Sequence, residues 1–251
     1  MSLISKAVID DCNNDVLAIV AKALKSSCKF NLTVLDSNNT ILTEKSAAYL
    51  GSRIMIHAHL TNSPFTKVHF ENGLEEAINL ADGKAKLAPP GNPGHDITIA
   101  GERYSLKTQA GKTIRESTVH ISKWMELGKN PRWLDDESVL EELRDEFVEH
   151  LSGYERVLTL RYLQGSKVKS DFKHYYELVE IPKKLLLLCL NGEFEMKHGS
   201  KQTVKPGYCH VQKDGRSLYS LYFDGGGERK LQIKNILKDE CIVHATWEFD
   251  S

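Results

Sequence analysis

The chain has 251 residues, of which 27% are charged and 41% hydrophobic, and its formal net charge at pH 7 is −1. This composition is ordinary for a globular domain, and it excludes a chain that is basic throughout or of low complexity. The longest apolar run, residues 185–190, is far shorter than the ~18 residues of a membrane span. The first residues lack the apolar core of a secretion signal.

The cysteines add a constraint on the cellular compartment. There are five, which is an odd number, and they are widely spaced without a Cys-x-x-Cys pair. This pattern argues against a disulfide framework and against a zinc ribbon. The sequence therefore predicts reduced thiols and a cytoplasmic location.

The N-terminal third of the chain is predicted to be mainly helical. Apolar residues recur at near-helical spacing over residues 5–26, 43–60 and 69–81, and a short strand is predicted over residues 32–35. An Asn-Asn-Asp break at residues 13–15 is able to cap a second helix within the first segment.

Residues 91–109 predict a loop followed by a β-hairpin, and the hairpin brings two charged side chains together. Asp96 opens a short β-branched run, Ala100-Gly-Glu102 is the turn, and the returning strand carries Lys107. Strands at sheet spacing hold such side chains a few ångströms apart. On the returning strand, Leu106 would face the core while Ser105 and Lys107 face Asp96.

A carboxylate and an ammonium in this arrangement suit metal-dependent hydrolysis of a phosphodiester. The acid holds a hard cation through oxygen, beside the main-chain carbonyl of Leu106, and the lysine orients or deprotonates water. The other interpretation is a solvated hairpin in which Asp96 and Lys107 have no catalytic role.

Beyond the hairpin, helices and strands alternate before the chain becomes β-rich. The apolar pattern predicts a helix over residues 116–127 and an acidic helix, placed on the outer surface, over residues 135–151. Strands follow over residues 154–163 and 172–181, then a short helix over residues 183–190. Five short strands complete the chain, over residues 193–197, 208–212, 218–223, 229–236 and 241–249.

These elements predict an α/β fold with a mixed central sheet flanked by helices and a β-rich C-terminal extension. No linker separates independent units, so a single domain is predicted over residues 1–251. It comprises a helical part (1–64), a core (65–190) and the β-rich part (191–251).

The central segment resembles a known nuclease superfamily. A helical glutamate, the loop Pro93-Gly-His-Asp96 and the strand Ser105-Leu-Lys107 follow one another as in the PD-(D/E)-x-K nucleases, and within them the type II restriction endonucleases. The phrase Tyr176-Glu-Leu-Val-Glu-Ile-Pro182 resembles the same enzymes more loosely. One position departs from the pattern, because Ser105 stands where an acid is expected two residues before the lysine.

The resemblance implies a restriction-endonuclease-like fold and Mg²⁺-dependent cleavage of double-stranded DNA. It implies that Mg²⁺ binds to Asp96, to Glu71 and to the Leu106 carbonyl, with Glu75 as the alternative helical acid. Lys107 would act on the attacking water, and the catalytic set also includes Ser105 and Gln109.

Polar residues around the hairpin and in the tail are candidate DNA contacts. The predicted helix 116–127 would present hydroxyls and a lysine to phosphates, and the tail carries long polar side chains suited to base edges in the major groove. The candidates are Lys112, Arg115, Ser117, Lys123, Lys213 and Arg216. A solvated surface is the other interpretation for both regions.

The sequence thus predicts a type II restriction endonuclease and leaves a homodimer open. Two alternatives share the fold: a DNA-binding protein without activity, which Ser105 makes conceivable, and a repair or mobile-element nuclease with little sequence specificity.

Overall fold

A computed structural model describes residues 14–27, 31–61, 63–92, 94–111, 113–128, 135–168 and 170–250. Its α-helices are α1 (Asn14–Ser27), α2 (Glu44–Leu60), α3 (Lys67–Leu80), α4 (Val139–Leu151) and the short α5 (Lys183–Leu186). Single 3-10 turns occupy Gly165–Lys167, Leu187–Asn191 and Lys238–Glu240. None of the described helices is long and apolar enough to cross a membrane.

Twelve strands are described. The first six are β1 (Asn31–Leu35), β2 (Ala85–Leu87), β3 (Ile97–Ile99), β4 (Glu102–Ala110), β5 (Thr118–Glu126) and β6 (Arg156–Gln164). The others are β7 (His174–Glu180), β8 (Glu193–Met196), β9 (Gly207–Lys213), β10 (Arg216–Phe223), β11 (Lys230–Leu237) and β12 (Ile242–Phe249).

The strands form two sheets. The first has seven strands in the order β1-β12-β7-β6-β4-β3-β2, and it is mixed because β4 and β6 run parallel while the other neighbours are antiparallel. The second is antiparallel, in the order β5-β11-β10-β9-β8. The predicted α/β fold with a mixed sheet flanked by helices is confirmed.

The first sheet is buried on both faces. Leu158 packs into one core with α2 and α3, whereas the adjacent Val157 packs into a second core with α4 and the second sheet. Adjacent residues of a strand point to opposite faces, so β6 supplies both cores. The molecule is therefore layered as helices, mixed sheet, and then α4 with the second sheet.

Most predicted elements are confirmed, and Thr43 shows why α2 begins where it does. Its hydroxyl accepts a hydrogen bond from the Ser46 amide, and the Ser46 hydroxyl accepts one from the Thr43 amide, which forms a capping box.

The helix predicted over 183–190 is only a short α-helix followed by a 3-10 turn. Residues 5–13 of the first predicted helix lie outside the described part of the chain.

The helix predicted over residues 116–127 is wrong, because this segment is β5. Val119 and Ile121 alternate with half-buried residues as in a strand, but Ser122 and Lys123 are both exposed before the buried Trp124. The register with β11 shifts at this point, between the pairs Ile233–Ile121 and Leu231–Met125. A bulge breaks the two-residue period and imitates helical spacing.

The strands predicted for the β-rich tail are confirmed, but they do not all lie in one sheet. β12 pairs with β1 and β7 inside the first sheet, whereas β5 leaves the core segment to pair with β11 in the second. The tail therefore contributes to both sheets.

Candidate active site

The β3–β4 hairpin positions Asp96. Ala100 and Gly101 form its turn with φ of 51° and 93°, and Ile97 pairs with Tyr104. Asp96 lies just before β3, where its amide donates to the Tyr104 carbonyl at 2.9 Å. The turn and register thus place the Asp96 side chain beside the middle of β4, as the sequence predicts.

Backbone and hydroxyl donors hold the carboxylate of Asp96. Its Oδ2 accepts hydrogen bonds from the Leu106 amide at 2.6 Å and from the Ser105 hydroxyl at 3.2 Å. The Leu106 side chain is fully buried in the core, as predicted. Because the N–H and C=O of one strand residue point to the same neighbour, the Leu106 carbonyl also faces the Asp96 edge of β4.

Helix α3 brings a second carboxylate and a lysine to this edge. The ammonium of Lys67 lies 3.4 Å from Oδ1 of Asp96 and 3.5 Å from Oε1 of Glu71. Both carboxylates are only 21% exposed, whereas the Lys67 side chain is 54% exposed. Burial raises the pKa of Glu71, as does Asp96, while the charge of Lys67 lowers it.

The structure distinguishes between the two candidate acids of α3. Glu75 accepts a hydrogen bond from the Leu87 amide at 2.8 Å, which ties the helix to β2. Glu71 instead shares an ammonium with Asp96. Of the two acids, Glu71 is thus the one that shares an ion-pair partner with Asp96.

Lys107 completes the cluster from β4. Its ammonium lies 5.4 Å from the centre of the Trp124 ring on β5. Burial lowers the pKa of Lys107 and Lys67 acts in the same direction, while the charges of Asp96 and Glu71 oppose the shift. Lys107 therefore interacts electrostatically with Asp96, Glu71 and Lys67.

Sequence reasoning missed Lys67, and the available signal was its spacing. Lys67 precedes Glu71 by four residues, which places both on one side of a helix. The predicted helix begins at residue 69 and so leaves Lys67 out, whereas the observed helix begins at Lys67.

Gln109 lies further along β4 and is held in place by a buried arginine. Its Oε1 accepts a hydrogen bond from Nε of Arg161 at 2.8 Å. Arg161 also donates to the main-chain carbonyls of Arg115 and Thr118 at 2.7 and 2.8 Å. Gln109 thus belongs to the contacts that fasten the start of β5 to the first sheet.

The predicted DNA contacts are dispersed. Lys123 lines a depression between β4 and β5 together with Lys67 and Lys107, and Arg115 lines the groove that continues from it. Ser117 and Arg216 line a separate depression beside the 3-10 turn at 238–240. Arg216 forms ion pairs there with Asp239 and Glu240, while Lys213 is exposed at the end of β9 and Lys112 lies outside the described residues.

The site offers only oxygen donors to a metal ion. Within the described residues, no group of three His, Cys, Asp or Glu side chains is positioned to hold a metal. Two carboxylates and a main-chain carbonyl do face one place. Mg²⁺ fits such a set, because it binds through one or two carboxylates and completes its shell with water and phosphate oxygens.

Comparison with known proteins assigns the class. A family model described as SmaI, type II site-specific deoxyribonuclease, matches residues 16–249. The type II restriction enzyme SmaI of Serratia marcescens is 46% identical over 219 residues, which cover 86% of this chain and 85% of that enzyme. No solved structure gives a significant match.

The fold and these matches define a type II restriction endonuclease, a hydrolase that cuts DNA. Within that class, the chain belongs to the SmaI family. The class predicted from the resemblance is confirmed.

Proposed function

We propose that this endonuclease hydrolyses phosphodiesters of double-stranded DNA at the cluster of Asp96, Glu71 and Lys107, with Mg²⁺ as its cofactor. The supporting observation is the single ammonium of Lys67 that lies within ion-pair distance of both carboxylates. A position that attracts one cation in this way also attracts another. Asp96, Glu71 and the Leu106 carbonyl would hold Mg²⁺, which supplies positive charge to the phosphate and lowers the pKa of bound water.

Lys107 acts on the attacking water. Burial lowers the pKa of Lys107, which makes its neutral amine, the form that accepts a proton, easier to reach. When it is protonated, the same ammonium stabilises the negative charge that develops on the phosphate. The packing on Trp124 restricts its position for either role.

Ser105 is a positioning residue in this mechanism. Its hydroxyl donates to Asp96, so it fixes the rotation of that carboxylate and does not itself supply a negative charge. Glu71 supplies the second acid from α3. Gln109 acts indirectly as well, since Arg161 holds its side-chain oxygen.

The DNA lies along the depression between β4 and β5. Lys123 and Arg115 contact phosphates there, since both are exposed and line the groove. Lys123 gives up its surface ion pair with Glu126 to do so. Ser117, Lys112, Lys213 and Arg216 would extend that contact to more distant phosphates. Arg216 must first give up its acidic partners, which makes it the weakest of these candidates.

Two copies of the chain act together in this proposal. Each chain carries one such cluster in its described part. A cut through both strands of a DNA duplex requires the hydrolysis of two phosphodiester bonds. A homodimer would place one cluster at each strand of the DNA. The protein acts in the cytoplasm, in keeping with the free thiols of Cys189, Cys209 and Cys241.

Digestion of a plasmid with the purified protein and Mg²⁺ tests the proposal. We expect discrete fragments from the wild type. We expect no cleavage by Asp96→Ala, because that change removes one of the three proposed Mg²⁺ ligands. Glu142→Ala is the control, since Glu142 is an exposed acid within α4, where alanine fits the helical backbone.

Each other outcome rejects a part of the proposal. Full activity of Asp96→Ala would exclude the site assignment. A smear in place of discrete fragments would favour a nuclease without sequence specificity. Binding of DNA without cleavage under any divalent ion would favour the inactive DNA-binding alternative.

A further inference from the structure

The outer face of the second sheet continues the wall of the catalytic cleft. Thr108 and Ser122 line the depression that contains Lys67 and Lys107, and they also line a neighbouring groove with His120 and Lys234. Ser122 and His120 lie on β5 and Lys234 lies on β11, both in the second sheet. These two strands therefore border the place where the phosphate that is cleaved would lie. The groove is an extension of the site and not a separate pocket.

The charge of this combined groove suits a polyanion. None of the described residues that line it is acidic. Five are basic, namely Lys67, Lys107, Arg115, Lys123 and Lys234. Two of these have acidic partners outside the lining, since Lys67 pairs with Asp96 and Glu71, and Lys123 with Glu126. In a chain with a net charge of −1, this local excess concentrates DNA at the cleft without making the whole surface adhesive.

Polar groups on the cleft side of the face have no protein partner. Among the described residues, none forms a hydrogen bond with the ring of His120, the hydroxyl of Ser122 or the amide of Asn235. Asn235 has a φ of 56° at a register shift of β11, and such bulges redirect side chains. These donors and acceptors are available to a ligand.

On the far side of the same face, two polar side chains are already paired. His210 is hydrogen-bonded to Ser220 and to Glu195, each at 2.9 Å. Gln232 donates to Asp224 at 3.3 Å. The side chains of His210 and Gln232 are thus less available to a ligand than those beside the cleft.

Lys234 is held in a fixed position at this boundary. Its ammonium lies 3.3 Å from the centre of the Tyr222 ring and 5.4 Å from that of Tyr208, and these two rings contact each other at 4.8 Å. A cation held on aromatic rings loses little side-chain freedom when it forms a directional contact. Lys234 is therefore prepared to donate hydrogen bonds.

We infer that His120, Ser122, Lys234 and Asn235, here called the recognition patch, read base edges of the DNA next to the cleaved phosphate. The inference rests on the proposed placement of DNA in the cleft. The spacing agrees with this role, since His120 lies two residues before Ser122, or about 7 Å along the strand. That distance corresponds to about two base-pair steps of ~3.4 Å.

The test measures sequence discrimination in matched variants. Mapping the fragment ends of the wild-type digest first defines the cognate site. Single-turnover cleavage is then measured on the cognate duplex and on duplexes with one base pair changed. His120→Ala and Lys234→Met are compared with His210→Ala and Lys197→Met, because Lys197 also lies 5.4 Å from the centre of the Tyr208 ring, at the distant edge of the sheet.

We expect His120→Ala and Lys234→Met each to reduce the preference for the cognate duplex about 10-fold or more, mainly at one or two base-pair positions. The two control variants should stay within about 2-fold of the wild type, because their side chains are away from the cleft. Melting curves verify folding, and His120→Gln replaces the alanine variant if that variant melts early.

Three results would overturn the inference. One is an unchanged preference in both patch variants. Another is an equal loss of cleavage on every duplex, together with a slope of log affinity against log salt concentration that is smaller by about one. That result identifies phosphate contacts. The third is a folded variant that binds the cognate duplex normally but cleaves nothing. The wild-type digest and Asp96→Ala report on the proposed function separately.

Discussion

At the scale of single residues, Asp96 is positioned by donors that do not depend on any ligand. The Leu106 amide and the Ser105 hydroxyl both bond to Oδ2, which leaves Oδ1 toward Lys67 and Glu71. A serine in place of the expected acid therefore has a physical role. It orients one acid, and the second acid comes from a helix.

Ser105→Ala separates this positioning role from a catalytic one. We expect the single-turnover cleavage rate to fall by about 2- to 10-fold, the equivalent of one lost hydrogen bond of about 0.5–1.5 kcal/mol. Ser105→Thr, which keeps the hydroxyl, should recover most of the rate. A loss as large as that of Asp96→Ala would show that Ser105 takes part in the chemistry.

In the proposed site, Lys67 would compete with Mg²⁺ for the two carboxylates, since its ammonium lies within ion-pair distance of both. Lys67→Met keeps the length of the side chain and removes the charge, so we expect the free protein to bind Mg²⁺ more tightly at a pH above the pKa of Glu71. Calorimetric titration with Mg²⁺ in the absence of DNA measures this directly. Lys45→Met is the control, and weaker binding by Lys67→Met would contradict the competition.

At the scale of elements, the sequence predicts helices and hairpins well where the signal is local. The β3–β4 turn and the α2 cap are set by residues within four positions of one another. The predicted site depends on that hairpin, and so the neighbourhood of Asp96 and Lys107 follows from the sequence.

The pairing of β5 with β11 could not be predicted in the same way. It joins residues more than one hundred positions apart, and the bulge at Ser122 and Lys123 conceals the strand period. The recognition patch depends on this pairing. Its residues therefore cannot be brought together by a sequence pattern alone.

Arg161 fastens the two sheets at this junction. It is fully buried, forms an ion pair with the fully buried Glu177, and bonds to carbonyls just before and within β5. Arg161→Met leaves the carboxylate of Glu177 without its main partner, so we expect a loss of about 3–5 kcal/mol in the free energy of unfolding.

Chemical denaturation measures this loss. The double variant Arg161→Met, Glu177→Gln should recover part of the stability, since it removes the uncompensated charge as well. Lys238 also pairs with Glu177 at 2.9 Å, and a small effect of Arg161→Met would mean that Lys238 alone compensates the charge.

At the scale of the whole molecule, the two sheets and α3 converge on one cleft. The mixed sheet contributes Asp96 and Lys107, α3 contributes Lys67 and Glu71, and the second sheet forms the opposite wall. The acidic helix α4 has its apolar side in the second core, and its exposed acids Glu141 and Asp145 pair with Arg144. The described residues that line the groove include no acid, and the acids Asp96 and Glu71 beside it are paired with Lys67.

In the proposed mechanism, the Asp96 cluster performs the chemistry while the wider groove binds DNA. The most direct test is the Lys107→Ala variant, in which DNA affinity and single-turnover cleavage rate are measured on the same duplex with Mg²⁺. We predict that the rate falls about 10²- to 10⁴-fold, the usual loss for a group that transfers a proton, while the affinity changes only a few-fold. A parallel fall of rate and affinity would make Lys107 a phosphate contact, and that result would contradict the account.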